Sequence, residues 1–248
     1  MKGRPVFACL AVAAALAAGG CSGPAPGSVV RVRQANQPEM RMHSTAKMRY
    51  LVNLPEGYGR GGGRWPLLLF LHGSGEAGDD LERVKIHGPP RIAPARPGFA
   101  FIVVSPQAPS GSRWNADALA ELLDHIAATY AVDEDRVYVT GLSMGGHGTW
   151  SLATEYPERF AAIAPICGGG DTARACRLKG VPVWAFHGAR DDVVDPRASA
   201  DMVAAVQACG GEARLSLDPE AGHDAWTRAY DDPELYRWLL SHRRKRPR

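Results

Sequence analysis

The chain has 248 residues, of which 45% are hydrophobic and 22% are charged. This balance excludes a mainly disordered, collagen-like or polytopic membrane chain, and the length suits one large domain or two small ones. Lys2, Arg4 and the basic run at residues 242–248 account for the positive sign of the formal net charge of +3. The body between them is mildly acidic, so no nucleic-acid partner is expected. The basic run is expected to be a solvated tail, with contact to an anionic surface as the alternative.

The N-terminal segment has the parts of an export signal. Lys2 and Arg4 give it a positive start, and the apolar run that follows is too short to span a bilayer. Cys21 follows small residues in a pattern that resembles a bacterial lipobox, in which the cysteine receives lipid. The sequence predicts a signal peptide at residues 1–20, lipidation at Cys21 and a flexible tether at residues 21–28. A periplasmic or cell-envelope protein held to the membrane by lipid is therefore expected, with plain secretion as the alternative.

Five cysteines occur along the chain. Cys9 and Cys21 fall in the export segment, and three more lie in the body. In an oxidising compartment, Cys167 and Cys176 are near enough in sequence to form a disulfide, although their spacing alone does not require one. Cys209 is then expected as a small buried hydrophobic residue. No pair has CxxC spacing and no His/Cys cluster indicates zinc, so neither a metal nor a cofactor is expected.

Residues 29–241 are predicted to form one domain of alternating strands and helices. Two early antiparallel strands are expected, at residues 29–33 and 47–54. Apolar runs predict six strands covered on both faces, at residues 67–71, 99–104, 137–139, 161–164, 183–186 and 215–217. Helical periodicity predicts four helices, at residues 118–130, 145–156, 197–208 and 232–241. This alternation is typical of an α/β fold with a mostly parallel sheet flanked by helices.

The sequence Gly141-Leu142-Ser143-Met144-Gly145 fits the pattern G-x-S-x-G. It lies between a predicted strand and a predicted helix, which is the context of a nucleophile elbow, a sharp turn that exposes a serine hydroxyl. Glycines are needed there because strand and helix approach each other too closely for side chains. Ser143 is therefore the candidate nucleophile, and chance occurrence in a glycine-rich chain is the alternative.

A nucleophilic serine needs a histidine base, which commonly follows it in the chain when the serine lies on such an elbow. Three histidines come after Ser143. His187 ends a predicted strand, and His242 lies in the basic tail. His223 remains as the candidate base, on a loop after the last predicted strand, with a surface histidine as the alternative.

The base in turn needs a carboxylate to orient it. Three aspartates follow the strand predicted at residues 183–186, where a carboxylate could reach His223. Asp191 is the preferred acid. Asp192 is expected to cap a helix or a loop, and Asp195, which precedes a proline, is expected to cap a helix.

A tetrahedral oxyanion needs two preorganised N–H donors. Met144, directly after the nucleophile, is one candidate, and Ser74, in the loop His72-Gly73-Ser74-Gly75, is the other.

His72 is expected to be a structural loop residue. Trp114 is a candidate wall of the substrate pocket, with plain packing as the alternative. Trp150 is expected in the core and Trp226 at the rim of the cleft.

Five segments in chain order, LLLFLHGSGEAGDD, RVYVTGLSMGGHGTW, ERFAAIAPICGGG, VPVWAFHGARDDVVD and EAGHDAW, together resemble the α/β-hydrolase family. The resemblance is to its phospholipase/carboxylesterase and polyhydroxybutyrate-depolymerase-like branch, which is also dienelactone-hydrolase-like. It implies an α/β-hydrolase fold and hydrolysis of an ester through an acyl-enzyme. It also implies a Ser143, Asp191 and His223 triad, with Ser74 and Met144 as oxyanion donors.

The segment at residues 167–180 is too short and polar to hold a sizeable lid, so an open cleft is expected. Such a cleft favours short-chain esters or polysaccharide-linked acetyl and feruloyl esters. The sequence therefore predicts a serine carboxylic-ester hydrolase. A serine peptidase or thioesterase with the same triad and a non-catalytic binding lipoprotein are the alternatives. The oligomeric state is not predicted.

Overall fold

The computed structural model describes residues 30–31, 40–44 and 48–244. The strands are Val30–Arg31 (β1), Met40–Ser44 (β2), Arg49–Asn53 (β3), Trp65–Leu71 (β4), Ile102–Gln107 (β5), Val132–Leu142 (β6), Ala162–Ile166 (β7), Val183–Gly188 (β8) and Ala213–Asp218 (β9). They form one sheet in the order β1-β2-β3-β5-β4-β6-β7-β8-β9. The predicted signal peptide, the tether and Cys21 lie outside the described residues.

Strand direction divides this sheet into a small antiparallel part and a larger parallel part. β1 pairs antiparallel with β2, β2 with β3, and β3 with β5. All later pairs, from β5-β4 to β8-β9, are parallel. The mostly parallel α/β sheet and the early antiparallel strands are therefore confirmed. All parallel strands end at the same edge, which brings the loops that follow them together.

The α-helices of the described chain are Gly88–Ile92 (α1), Ala116–Thr129 (α2), Met144–Glu155 (α3), Arg197–Ala208 (α4), Trp226–Asp231 (α5) and Pro233–Leu240 (α6). The four predicted helices are observed within a few residues, whereas α1 and α5 were not predicted. Helix α2 begins where the Asn115 side chain accepts the Ala118 N–H at 2.8 Å, an ordinary N-cap. In the described part of the chain no helix has both the length and the apolar character to cross a membrane.

The helices cover both faces of the sheet. Strand β4 shows this best, because Leu67, Leu69 and Leu71 belong to the core cluster that holds residues of α2, α3 and α4. Its alternate residues Leu68 and Phe70 belong to the opposite cluster, with residues of α1, α5 and α6. Each such fully buried side chain contributes roughly 1.5–3 kcal/mol. The rigid sheet formed in this way holds the loops at its carboxyl edge.

Three strand predictions need correction. β2 was not predicted, and β5 begins at Ile102, three residues later than expected. β9 was predicted to be covered on both faces, but it pairs only with β8 among the described strands, and its Leu217 is 49% exposed. An edge strand has one neighbour fewer, so its apolar residues receive less cover.

The disulfide left open between Cys167 and Cys176 is not formed, and the expectation that Cys209 is unpaired was wrong. Cys176 bonds to Cys209, which joins the 3-10 helix Thr172–Leu178 to the end of α4, and Cys167 is a buried free thiol. Cys167 directly follows β7, where its N–H donates to the Phe186 carbonyl at 2.9 Å. It is therefore held at the sheet, while Cys176 packs on the outer helical layer beside α4.

The expectation of a solvated tail fails for its first three residues. The Tyr138 hydroxyl donates to the His242 carbonyl at 2.8 Å, and the Arg244 N–H donates to the Asp135 carbonyl at 2.7 Å. Arg243 forms an ion pair with Asp133 at 3.1 Å. These bonds fix residues 242–244 against the start of β6, while residues 245–248 lie outside the described part of the chain.

Candidate active site

Ser143 lies on a strained turn between β6 and α3. Its φ is 53°, in the left-handed region that costs a residue with a side chain about 1–3 kcal/mol. The turn is tight because a Cβ on Gly145 would lie 1.9 Å from the Leu71 carbonyl oxygen, and a Cβ on Gly141 would lie 2.4 Å from the Gly145 carbonyl oxygen. A hydrogen bond from the Ser143 N–H to the Ile166 carbonyl, at 2.9 Å, holds it in place.

His223 lies on the loop after β9 and reaches both other predicted triad members. Its Nε2 is 2.9 Å from Ser143 Oγ, and its Nδ1 is 2.7 Å from Asp191 Oδ2. The ring of Trp226 packs edge-on against the imidazole, with the ring centres 5.1 Å apart. The structure thus brings together the three side chains that the sequence singled out, in a continuous hydrogen-bonded chain.

Asp191 is the aspartate that faces His223. Its carboxylate is fully buried, and Oδ1 accepts the N–H groups of Val193 and Val194 at 2.9 Å each. Burial by itself would raise the pKa of Asp191, but the hydrogen bonds from His223 and from these two N–H groups outweigh it. The pKa of the carboxyl therefore lies below its ordinary value, and it is ionised at neutral pH.

The other two candidate aspartates point elsewhere. Asp192 is exposed. Asp195 accepts the Arg197 N–H at 2.9 Å at the start of α4, but it lies one residue before the N-cap position, which Pro196 occupies, so the predicted cap is displaced by one residue. Of the three aspartates on this loop, Asp191 is therefore the one whose carboxylate contacts the imidazole of His223.

The proposed oxyanion donors are the N–H groups of Ser74, on the loop after β4, and of Met144, at the start of α3. The Gly73 N–H is already bonded to Glu76 Oε2 at 2.9 Å. By contrast, the N–H groups of Ser74 and Met144 have no acceptor among the described residues. Met144 is also the first residue of α3, where the helix dipole favours a negative charge. Both groups are thus available to an oxyanion.

His72 and Trp114 support the loop that carries Ser74. His72 Nε2 accepts the Ala108 N–H at 3.0 Å, and Nδ1 lies 2.6 Å from the Gly73 carbonyl. Burial lowers the pKa of His72, which fits a neutral structural histidine, as predicted. Trp114 is only 9% exposed, and its indole N–H donates to the His72 carbonyl at 3.1 Å. Trp114 therefore packs against the loop rather than forming a pocket wall. Trp150 is fully buried in the core, as expected.

Two side chains in contact with the triad were not singled out as site residues. Cys167 donates its thiol hydrogen to the His223 carbonyl at 3.2 Å, and His187 Nε2 lies 3.1 Å from Asp191 Oδ2. Each ends or follows a strand directly before a glycine, which is the signal that could have identified them. Because His187 ends a predicted strand, the sequence does not favour it as the base.

Ligand atoms of Cys167, Asp191 and His223 lie within 4.8 Å of one another, which is close enough for a metal ion. A cation there would need the Cys167 thiolate, but burial raises the pKa of this thiol to about 12. It would also have to replace the hydrogen bond between Asp191 and His223. The chemistry of these three groups fits a hydrogen-bonded network better than a metal site.

The segment between the elbow helix and the acid loop is short in the structure as well. Within residues 167–180, the regular element is the 3-10 helix Thr172–Leu178, and the Cys176–Cys209 disulfide ties it to α4. No lid helix covers Ser143 in the described part of the chain, and Ser143 and His223 are both partly exposed. The cleft is therefore accessible from solvent.

A parallel sheet with helices on both faces, a serine elbow and an acid and a histidine on the following loops define an α/β-hydrolase. The sequence profile of the Esterase family matches residues 93–236. This match covers more than half of the chain, which belongs to the Esterase family.

Individual proteins agree with this assignment. The bifunctional acetylxylan esterase/xylanase of Neocallimastix patriciarum is 29% identical over 137 residues, 52% of this chain and 20% of that protein. Poly(3-hydroxyalkanoate) depolymerase C of Paucimonas lemoignei is 37% identical over 86 residues, 28% of this chain and 21% of that protein. The crystal structure of a thermostable esterase has a TM-score of 0.70 and 29% identity, covering 88% of this chain and 64% of that one. The matches therefore span about a fifth of the length of these two curated relatives.

Proposed function

We propose that the chain is a serine esterase that hydrolyses carboxylic esters through an acyl-enzyme on Ser143. The observation that carries this proposal is the hydrogen-bonded chain Ser143–His223–Asp191, with distances of 2.9 Å and 2.7 Å. Membership of the Esterase family supports it independently. A binding module has no use for a strained serine turn beside an oriented histidine, whereas a nucleophile needs both.

In the proposed reaction each member of the triad has its own role. His223 Nε2 takes the hydroxyl proton as Ser143 Oγ attacks the ester carbonyl carbon, and it then gives that proton to the departing alkoxide. Asp191 holds Nδ1 protonated and stabilises the imidazolium. Water then attacks the acyl-enzyme with His223 again as base, which releases the carboxylic acid and restores Ser143.

The negative charge that develops on the carbonyl oxygen requires donors fixed before the reaction begins. We assign this role to the N–H groups of Ser74 and Met144. They lie on the loop after β4 and at the first turn of α3, and neither has a protein acceptor among the described residues. Loss of one such donor in other enzymes lowers kcat by about a hundredfold to a thousandfold.

We propose short-chain or polysaccharide-linked acetyl and feruloyl esters as the substrate class. The accessible cleft supports this choice, because a long acyl chain needs an apolar cover that the segment at residues 167–180 does not provide. The likeness to an acetylxylan esterase/xylanase points the same way for acetyl groups on polysaccharide.

We also propose that the protein is exported and carries lipid on Cys21. The positive start with Lys2 and Arg4, the apolar run and the small residues before Cys21 support this proposal. Acetylated and feruloylated polysaccharides are extracellular polymers, so an enzyme that acts on them has to leave the cytoplasm.

A fluorophosphonate probe tests the proposed activity, because only an activated serine attacks it. The wild-type protein should be labelled, and the Ser143→Ala variant should not be. Hydrolysis of p-nitrophenyl acetate, methyl ferulate and acetylated xylan by the same two proteins then separates the substrate classes. A folded wild-type protein that takes up no probe and cleaves none of the esters would overturn the proposal and leave the non-catalytic binding role.

A further inference from the structure

His187 occupies an unusual place behind the triad. It lies in β8, just before the loop that carries Asp191, and both side chains are fully buried. Its Nε2 is 3.1 Å from Asp191 Oδ2, the same oxygen that receives the hydrogen bond of His223. Nε2 is also 2.9 Å from the Val194 carbonyl, and Nδ1 is 2.7 Å from Ser199 Oγ.

Each short contact around the His187 imidazole needs a hydrogen between its two polar atoms. One placement of the hydrogens provides this for every contact. Nε2 faces a carbonyl and an ionised carboxylate, which can only accept, so Nε2 must carry a proton. The single hydroxyl proton of Ser199 points to the Gly168 carbonyl at 2.8 Å, which is also only an acceptor. Nδ1 must then donate to Ser199 Oγ, so both nitrogens of His187 are protonated.

We infer that His187 is a positioning residue for the catalytic acid, a buried imidazolium whose Nε2–H donates to the Val194 carbonyl and whose positive charge lies beside Asp191 Oδ2. This inference rests on the proposed function, because His187 acts through Asp191. The Asp191 carboxylate receives three N–H donors, those of Val193 and Val194 on Oδ1 and that of His223 on Oδ2, and His187 Nε2 lies 3.1 Å from Oδ2. A carboxylate bonded in this way cannot rotate away from His223 without losing several hydrogen bonds.

The other ionisable groups near His187 leave Asp191 as its direct counter-charge. On the same loop, Asp195 is exposed and paired with Arg197. Beyond β8, His187 lines a cavity of about 200 Å³ together with Asp218, Arg228 and Asp232. In that cavity, Asp218 is paired with Arg228 at 2.9 Å, and Asp232 is exposed and accepts the Glu234 N–H at 2.8 Å.

The remaining ionisable groups on that side are the thiol of Cys167 and the carboxylate of Asp224. Burial keeps the thiol protonated, because it raises the pKa of Cys167 to about 12. Asp224 is exposed and accepts from Thr227. Neither group therefore replaces Asp191 as the partner of the His187 charge.

A positive charge at His187 has a second consequence for the triad. The charge of His187 partly neutralises the Asp191 carboxylate. In the free enzyme it therefore opposes the formation of a second imidazolium at His223. The charge of His187 therefore weakens the support that Asp191 gives to an imidazolium at His223, and its removal should appear in the pH dependence of kcat/KM. A merely structural histidine would have no such effect on pH dependence.

Nitrogen-15 NMR of the wild-type protein with labelled histidine tests the protonation directly. At mildly alkaline pH, seven of the eight histidines should show one unprotonated nitrogen, and one should show both nitrogens protonated. That signal should disappear in His187→Gln and shift in Ser199→Ala, which removes the acceptor of Nδ1–H. A spectrum of the folded wild-type protein without any doubly protonated histidine would overturn the inference, whether or not the variants fold.

Kinetics test the positioning role. His187→Gln keeps a neutral N–H donor near the Nε2 position, so the midpoint of the acidic limb of kcat/KM should move up by roughly one pH unit. KM should change less than kcat. His125→Gln, which alters an exposed histidine on α2, is the matched control and should leave the profile in place. A uniform loss of activity at every pH would overturn the charge role.

These readouts separate the inference from the proposed function. Fluorophosphonate labelling of wild-type Ser143 reports on the function alone, and the histidine spectrum reports on His187 alone. A labelled serine with an ordinary His187 spectrum would reject only the inference. An unlabelled serine would reject the proposed function, and the spectrum would still decide the protonation state.

Discussion

His223 Nδ1 lies 2.7 Å from Asp191 Oδ2, although the two residues are 32 positions apart in the chain. Their loops follow β8 and β9, which pair in parallel and end at the same edge. The loops also touch through their backbones, since a Cβ on Gly188 would lie 2.0 Å from the Gly222 carbonyl oxygen. Gly188 precedes Asp191 and Gly222 precedes His223. These glycines let the two loops approach closely enough for the acid to contact the base.

Replacing Asp191 by asparagine should lower kcat by about four orders of magnitude, or roughly 5 kcal/mol of transition-state stabilisation. An amide can donate to Nδ1, which stabilises the wrong tautomer of His223, and it gives the imidazolium no counter-charge. The measurement is kcat for p-nitrophenyl acetate hydrolysis by the folded variant.

The neighbouring aspartates are the controls for that change. Asp192→Asn and Asp195→Asn should each lower kcat by at most about tenfold, because both side chains are exposed and Asp195 bonds to Arg197 rather than to His223. If either control loses the activity while Asp191→Asn keeps most of it, the acid has been assigned to the wrong residue.

The low pKa of Asp191 predicts a pH dependence of stability. A carboxyl whose pKa is lower in the folded state stabilises that state above the pKa of the unfolded chain, about 4. This stabilisation is lost as the pH falls through the lower folded value. Below about pH 4, the free energy of unfolding should therefore fall more steeply for the wild type than for Asp191→Asn. Denaturant unfolding across this range measures it, and identical slopes for the two proteins would contradict the assignment.

Much of the fold and the three triad positions could be predicted because their signals are local. Ser143 lies in a short pattern between a strand and a helix, and Asp191 and His223 each follow an apolar strand by a few residues. The common edge of a parallel sheet then implies that they meet. Periodicity likewise predicted α2, because Leu119, Leu122 and Ile126 recur at helical spacing.

The features that the sequence did not predict depend on where distant elements pack. Cys176 meets Cys209 only because a 3-10 helix lies beside the end of α4, which spacing along the chain cannot show. Trp114 is buried because its ring lies 4.8 Å from that of His72. The contact of His187 with Asp191 depends on how one loop turns back on its own strand.

The acyl preference follows from the accessible cleft. Activity should be highest for acyl chains of roughly two to six carbons, because no long apolar groove is available to stabilise a longer chain. The measurement is kcat/KM for p-nitrophenyl esters of increasing chain length. A maximum at roughly twelve carbons or more would contradict it, and would indicate an acyl groove formed outside the segment at residues 167–180.

Replacing Cys21 by serine should change how the protein is held in the cell. Serine cannot receive the thioether-linked lipid, so the variant should accumulate as a soluble form or as uncleaved precursor. Fractionation and intact mass measure the change. A variant that fractionates with membranes at the mass expected for the lipidated wild type would contradict lipidation at Cys21.

The Cys176–Cys209 disulfide should contribute about 3–4 kcal/mol to the free energy of unfolding, because it closes a loop with a sequence separation of 33. The double variant Cys176→Ser/Cys209→Ser should therefore unfold at a temperature lower by roughly 10 °C. Thermal unfolding with and without reductant measures this. Reductant should lower the transition of the wild type and leave that of the double variant unchanged. Alkylation of both cysteines in the unreduced, denatured wild type would show that the bond is absent, and equal transitions for the two oxidised proteins would show that it does not stabilise the fold.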